Sequence, residues 1–180
     1  MAELKVTITE EERKICEDFA SKSVSTNIKE YERRNQSNVG KVELDISIGK
    51  MAEIGVYKIL NKAKLKCSYP DFEIYDKYHK TFDADLTIDK YDIHVKSQLL
   101  SQSKSFGESW LFQKNDKLTY IPTERDVICL CIVSSNEVII KKILLANNLT
   151  GLYGIPKSPK LKDNKHALYY KDIENLKFKI

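Results

Sequence analysis

The spacing of apolar and polar residues predicts two helices in the first third of the chain. Thr9 and Glu12 have the spacing of a capping box, a pair that satisfies backbone groups at the start of a helix. A second helix is predicted over residues 47–62, because its apolar residues recur at helical intervals. These apolar residues are Ile48, Ala52, Val56, Ile59 and Leu60. Residues 35–40 form a polar break between the two helices.

The rest of the chain is dominated by patterns typical of β-strands. The predicted strands cover residues 72–75, 82–88, 91–96, 127–133, 137–140 and 167–170. A short polar turn, Asp89-Lys90, separates the second and third of these runs, which predicts a hairpin. The nearly continuous apolar run 127–133 predicts a strand covered on both faces. Short helical segments are predicted at 142–146 and 172–176. Together these elements predict an α/β fold with a mixed central sheet flanked by helices.

The composition adds a domain count and a prediction for the cysteines. With 180 residues, 42% of them hydrophobic, the chain can bury a sizeable core, and we expect one domain over residues 1–180. Cys129 and Cys131 alternate within a predicted strand and therefore share a face. Since no second pair of ligands stands at zinc-binding spacing, we predict that the four cysteines are reduced and packed in the core.

Neither a signal peptide nor a membrane span is predicted. Residues 1–5 lack an apolar run behind a basic cluster, the mark of a signal peptide. No uninterrupted apolar stretch approaches the roughly 20 residues that cross a bilayer. We therefore expect a soluble, cytoplasmic protein with no membrane partner.

Charge is unevenly distributed along the chain. The net charge is +4, and residues 141–180 contain nine lysines against three acidic residues, a balance of +6. Residues 1–140 therefore carry −2, since −2 plus +6 gives +4. The basic part 141–180 has two interpretations: it lies along a phosphate backbone, or it is a solvated lysine-rich surface.

Candidate chemistry lies on the predicted hairpin. The two-residue period of a strand places His94, Lys96 and Gln98 on one face, and Asp83 and Asp85 on one face of the partner strand. If these polar faces coincide, oxygen ligands for a divalent cation lie beside a lysine that acts on a phosphate. The alternative is a solvated sheet face that carries an ion pair.

A glutamate on the preceding helix favours the first interpretation. Glu53 lies at the edge of the apolar stripe, and the order of glutamate, aspartate and His94-Val95-Lys96 resembles the PD-(D/E)XK nuclease superfamily. That core, shared by many restriction enzymes, junction resolvases and phage nucleases, has a helix glutamate, a metal-binding aspartate on one strand and (Asp/Glu)-x-Lys on the next. The motifs cover about residues 45–100, and the order of elements extends the likeness to about 140. The resemblance implies a restriction-endonuclease-like core.

The chain departs from the family pattern at two points. His94 stands where the family has a carboxylate, and a neutral imidazole suits softer ions than magnesium. Glu53 would replace the lost carboxylate, while His94 would ligate the metal, carry a proton, or be an ordinary hydrogen-bonded strand residue. The second departure concerns the aspartate. Asp71 matches the literal Pro-Asp letters, but Asp85 has the better strand context, with Asp83 second and Asp71 third.

The resemblance implies a role for each residue. Glu53, Asp85 and the backbone carbonyl of Val95 would hold Mg²⁺, with Mn²⁺ as a substitute and no small-molecule cofactor. Lys96 would orient the attacking water or neutralise a phosphate oxygen. Gln98 would position water or phosphate, unless it is an ordinary polar strand residue.

The polar stretch 98–125 is interpreted as an ordered functional loop. It mixes hydroxyls, amides, lysines and aromatic residues, which suits phosphate contacts and base stacking. The DNA-contact candidates are Lys104, Trp110, Lys114 and Lys117. In the alternative interpretation, Trp110 and Phe112 anchor the loop to the core.

The function implied by the resemblance is a metal-dependent DNA endonuclease of restriction or phage type, acting as a homodimer. A Holliday-junction resolvase is a rival with the same chemistry. Two rivals of a different class are a catalytically inactive DNA-binding module of the same fold, and a protein that acts through a protein partner with the hairpin as its interaction edge.

Overall fold

The computed structural model describes residues 4–33, 36, 38–75 and 84–177, with Arg33 described by its backbone alone. The helices are α1 (Glu10–Arg33), α2 (Val39–Lys62), α3 (Leu100–Phe106) and α4 (Tyr170–Ile173). The strands are β1 (Leu4–Thr7), β2 (Leu86–Ile88), β3 (Tyr91–Leu99), β4 (Ser109–Gln113), β5 (Asp126–Val133), β6 (Glu137–Leu145) and β7 (Lys165–Tyr169). Short 3-10 turns occupy residues 117–119, 146–149 and 159–161.

Five strands form a mixed sheet in the order β1-β6-β5-β3-β2. β3 and β5 are parallel, and the other neighbours are antiparallel. A parallel pair needs a crossover, and the segment between β3 and β5 contains α3 and β4. β4 and β7 form a separate two-stranded sheet. The predicted α/β class with a mixed sheet is confirmed.

The starts of α1 and α2 follow from their capping residues. The Thr9 amide donates to Glu12 Oε2 at 2.7 Å and the Glu12 amide donates to Thr9 Oγ1 at 3.2 Å, which confirms the capping box. α2 begins at Val39, eight residues before the predicted start at 47. Asn38 caps it, because its side-chain oxygen accepts a hydrogen bond from the Lys41 amide at 3.0 Å. The predicted polar break therefore ends in a helix cap.

The sheet separates two hydrophobic clusters. The first lies between α2 and the sheet, and the second lies on the opposite face under β4 and β7. All eight residues of β5 are buried, which confirms a strand covered on both faces. Cys129 and Cys131 both lie in the first cluster, as predicted, and all four cysteines are free. Cys67, however, is only partly buried.

Several local predictions are wrong. Residues 72–75 form no strand. The stretch 98–125 contains α3 and β4 rather than one loop, and β6 continues to Leu145 where the sequence predicts a helical turn. β1 is absent from the predicted strands, because its four residues form a strand only by pairing with β6. The predicted aspartate strand 82–88 is shorter, because β2 begins at Leu86 and leaves Ala84 and Asp85 outside it, while residues 82 and 83 lie outside the described residues.

None of the described helices combines the length and the apolar character needed to cross a bilayer.

Candidate active site

The candidate site lies where β2 and β3 part. The pairing of β2 with β3 runs from Ile88↔Tyr91 to Leu86↔Ile93, whereas β3 continues to Leu99. Asp85 takes the next position, because its Oδ2 accepts a hydrogen bond from the Val95 amide at 2.7 Å. The N–H and C=O of one strand residue point to the same side of the strand. The Val95 carbonyl therefore points to the same edge as the Asp85 carboxylate.

Glu53 reaches this edge from α2, which packs on the sheet face that holds Ile93 and Val95. Its side chain is buried, with 8% of the residue exposed. Burial first, and then the negative charge of Asp85, raise the pKa of Glu53 to about 8. A second carboxylate thus lies in a dry environment close to Asp85, where an added cation would be stabilising.

Lys50 is the cation that accompanies Glu53. Its Nζ donates to Glu53 Oε2 at 2.7 Å and opposes the rise in the Glu53 pKa. The same ammonium lies 5.1 Å from the ring centroid of Phe19 and 5.4 Å from that of Phe72. The sequence prediction missed Lys50. The sequence feature that could have identified Lys50 is its three-residue spacing from Glu53, which places both side chains on one side of a helix.

The other two aspartates differ in what the structure shows. Asp71 is exposed, and its two oxygens accept hydrogen bonds from the Glu73 amide at 2.7 Å and the Tyr75 hydroxyl at 2.9 Å. Its charge also contributes to the raised pKa of Glu53, so it belongs to the same electrostatic neighbourhood. Asp83, the second choice for the metal ligand, lies outside the described residues.

His94 faces the other side of β3 and is buried. Its Nε2 lies 3.0 Å from Asp126 Oδ1 on the neighbouring strand β5. Burial alone would raise the pKa of Asp126, but hydrogen bonds from the Thr123 amide, His94 and the Thr123 hydroxyl lower it overall. This pairing matches the interpretation of His94 as a hydrogen-bonded strand residue.

Lys96 and Gln98 point to the same face as His94. The Lys96 ammonium lies 3.5 Å from Asp116 Oδ2 and 5.1 Å from the ring centroid of Phe112, a residue of the second cluster. The Gln98 side chain donates to the Gly107 carbonyl at 3.1 Å and accepts from the Ser109 amide at 3.0 Å. These bonds tie β3 to the start of β4.

The structure therefore divides the predicted site between two faces of one strand. Asp85 and the Val95 backbone meet at the edge, and Glu53 lies on the side of α2, near enough for the Asp85 charge to add to burial in raising its pKa. The predicted face of His94, Lys96 and Gln98 exists, but it turns toward the second cluster because side chains alternate along a strand. The spacing of residues in the sequence predicts which side chains share a face of β3, but it does not predict which of the two faces packs against α2.

The donors at the edge fit a hard divalent cation. Two carboxylates and a backbone carbonyl are oxygen ligands of the kind that Mg²⁺ and Mn²⁺ take. A cation between Glu53 and Asp85 would also remove the repulsion that raises the pKa of Glu53. Over the described ranges, no group of three or more His, Cys, Asp or Glu side chains has metal-binding geometry. This donor set has two such side chains and one carbonyl.

One of the predicted DNA contacts is wrong. Trp110 is completely buried, and its indole Nε1 donates to the Cys131 carbonyl at 2.8 Å. Phe112 is 1% exposed, so the alternative holds: both aromatic residues anchor this stretch to the core. Lys104, Lys114 and Lys117 are exposed, and their contact with DNA stays a prediction.

No protein-family model matches the chain, and neither a curated protein nor a solved structure matches it. The function proposed for the chain therefore rests on the geometry of the site and on the resemblance of its motifs.

Proposed function

We propose that the chain is a divalent-metal-dependent DNA nuclease with a restriction-endonuclease-like core. The observation that carries this proposal is the hydrogen bond from the Val95 amide to Asp85 at the edge of β3, with a second carboxylate, Glu53, buried on α2 within the influence of the Asp85 charge. The pKa of Glu53 is raised by burial and by a second carboxylate although Lys50 is bound to it, and carboxylates with a pKa perturbed in this way are enriched at functional sites. The motif order resembles a nuclease core, and this resemblance is the reason for choosing DNA as the substrate.

In the proposed reaction, Glu53, Asp85 and the Val95 carbonyl would hold Mg²⁺. When bound, this ion supplies positive charge that stabilises the transition state at phosphorus and makes water a better nucleophile. Asp85 is already oriented by the Val95 amide, and Lys50 holds the Glu53 carboxylate in place. Lys96 would neutralise a phosphate oxygen only after its side chain leaves Asp116, 3.5 Å away on the opposite face of β3, and turns toward the edge.

A restriction-type or phage-type endonuclease and a Holliday-junction resolvase both fit this chemistry. Each cuts two strands, and a homodimer with twofold symmetry would supply one active site for each strand. We propose the homodimer together with the nuclease function.

A second candidate function is a catalytically inactive DNA-binding module of the same fold. Two observations favour it: His94 is buried against Asp126, and the Lys96 ammonium is paired with Asp116. Both residues of the lysine-strand motif thus have structural partners. Such a module would bind DNA without a metal.

Cleavage of supercoiled plasmid DNA tests the proposal. The wild type, Asp85→Asn, Lys96→Ala and a control, Asp18→Asn on the exposed side of α1, are compared in Mg²⁺, Mn²⁺ and EDTA. We expect metal-dependent cutting by the wild type and the control. The two site variants should lose at least 100-fold in rate, about 2.7 kcal/mol of transition-state stabilisation.

Two results would contradict the nuclease proposal. Cutting by Asp85→Asn at the wild-type rate would place the chemistry elsewhere. Absence of cutting by the wild type on plasmid, linear, branched and single-stranded DNA would leave the binding module as the better explanation.

A further inference from the structure

A cleft of about 540 Å³ lies beside the part of β3 that extends beyond β2. Its floor includes all five residues from Val95 to Leu99. The cleft therefore begins at Val95, whose amide donates a hydrogen bond to Asp85, and it continues along β3 away from the part that pairs with β2. Val95 is common to the cleft and to the candidate site, where its amide binds Asp85.

The walls of the cleft come from two different elements. One wall is α2, through Lys41, Asp45 and Ile48, which lie on one side of the helix. The other wall is the small β4–β7 sheet. Ser109, Leu111, Ala167 and Tyr169 line the cleft, whereas Trp110, Phe112 and Leu168 alternate with them and pack into the second cluster. The small sheet is thus anchored on one face and available to a ligand on the other.

The cleft is basic. Four lysines line it, Lys41, Lys96, Lys157 and Lys160, against a single lining carboxylate, Asp45, and Lys96 is paired with Asp116 outside the lining. Lys41 lies 3.0 Å from Asp45, which compensates its charge. Lys157 and Lys160 are exposed and belong to the basic part 141–180. Positive charge along an open strand edge attracts a phosphate backbone.

Aromatic side chains line the same space. Phe106 is the last residue of α3, and 43% of it is exposed. The Tyr169 ring is fixed, because its hydroxyl donates to the Ile155 carbonyl at 2.9 Å, and Lys157 Nζ lies 5.7 Å from its centroid. Aromatic rings interleaved with cations are the surface on which unpaired bases stack. Paired bases have their faces covered and gain nothing from such rings.

We propose that this cleft binds an unpaired nucleic-acid strand and leads it to the Glu53–Asp85 edge. A space of about 540 Å³ is comparable with small-ligand pockets, so it takes a short stretch of a single strand. The strand's phosphates face Lys157 and Lys160, and its bases face Phe106 and Tyr169. The proposal deepens the nuclease function by favouring, among its substrates, DNA with an unpaired stretch over an intact duplex. It rests on the nuclease function for the fate of the strand, but binding is separable from cutting.

Fluorescence anisotropy in EDTA tests the binding without cleavage. The probes are fluorescein-labelled 12-mers of thymidylate and of uridylate, and a 12-base-pair DNA duplex of mixed sequence. We expect the wild type to bind at least one single strand about tenfold or more tightly than the duplex. Lys157→Ala/Lys160→Ala should weaken that binding about tenfold and reduce the slope of log K against log [salt] by about 1.4, since each phosphate contact on a single strand contributes about 0.7. Phe106→Ala should weaken it about fivefold or more through lost stacking.

The matched control is Lys14→Ala/Lys22→Ala, which removes two exposed lysines from α1, a helix whose described residues do not line the cleft. It should bind both single strands like the wild type. Equal or tighter binding of the duplex, no single-strand binding, or an equal loss in the control pair would overturn the proposal. Metal-dependent cutting without a preference for single strands would contradict strand binding in the cleft but not the nuclease function. Single-strand binding that depends on the cleft, without any cutting, would contradict the nuclease function but not strand binding in the cleft.

Discussion

At the scale of single residues, the ionisation of Glu53 has a measurable consequence for stability. Burial and Asp85 raise its pKa from 4.5 to about 8 in the folded protein, while Lys50 opposes the shift and Asp71 adds to it. Between these two values the folded chain keeps a proton that the unfolded chain has lost. The folded state therefore binds more protons, and stability must decrease as the pH rises through this window.

We predict that the unfolding free energy in EDTA falls between about pH 5 and pH 8. Glu53 should contribute at most about 1.4 kcal/mol per pH unit to this slope. Glu53→Gln, which stays neutral, should lack that contribution. Urea denaturation of both proteins across this range measures the difference, and identical slopes would show that Glu53 is not held in its protonated form.

Residue identity and spacing predict part of the candidate site. Glu53 lies at the edge of an apolar stripe and Asp85 directly before β2, the strand beside β3, and the Asp85 charge reaches Glu53 in the structure. Lys50 and the placement of His94, Lys96 and Gln98 on the opposite face are not predictable in this way. Alternation along the strand leaves open which face of β3 meets α2.

At the scale of elements, the packing of α2 on the sheet depends on a glycine. A Cβ atom added at Gly55 would lie 2.6 Å from the Cβ of Val138 on β6. An added Cβ at Gly49 on the same helix would meet nothing within 4 Å. The two glycines therefore form a matched pair: one is required by close approach, and the other is not.

We predict opposite effects for alanine at these two positions. Gly49→Ala should stabilise the protein by up to about 1 kcal/mol through helix propensity. Gly55→Ala should destabilise it by about 1–3 kcal/mol, because the clash outweighs that gain. Chemical denaturation measures both changes, and a Gly55→Ala variant as stable as the wild type would mean that α2 does not pack this closely on β6.

Elements with strong local signals are predictable, and those formed by distant pairing are not. The capping box, the 89–90 turn and the continuous apolar run of β5 each carry their structure locally. β4 is different, because its partner β7 lies more than 50 residues further along the chain. A strand at 167–170 is predicted and overlaps β7, but neither the pairing of β7 with β4 nor the cleft beside them has a local sequence signal.

At the scale of the whole molecule, the basic part 141–180 combines a structural role with an exposed basic surface. Lys142 is structural, since its ammonium donates to the carbonyls of Glu174 at 2.7 Å and Leu176 at 2.8 Å. Lys157 and Lys160 are exposed and line the cleft. Net charge alone does not separate these roles, because a lysine that binds backbone carbonyls and a lysine that lines a cleft each add one positive charge.

The nuclease proposal depends on Glu53 and Asp85 together holding a divalent cation at the edge of β3. Calorimetric titration of Mn²⁺ into the wild type, Asp85→Asn and the Asp18→Asn control at pH 7 measures this binding. We expect the wild type and the control to bind the ion with release of close to one proton, since the Glu53 carboxyl must ionise to bind the metal. Asp85→Asn should bind at least about tenfold more weakly, because it loses a direct ligand. Equal affinity in the wild type and Asp85→Asn, or no binding to the wild type, would show that these two carboxylates do not form a metal site.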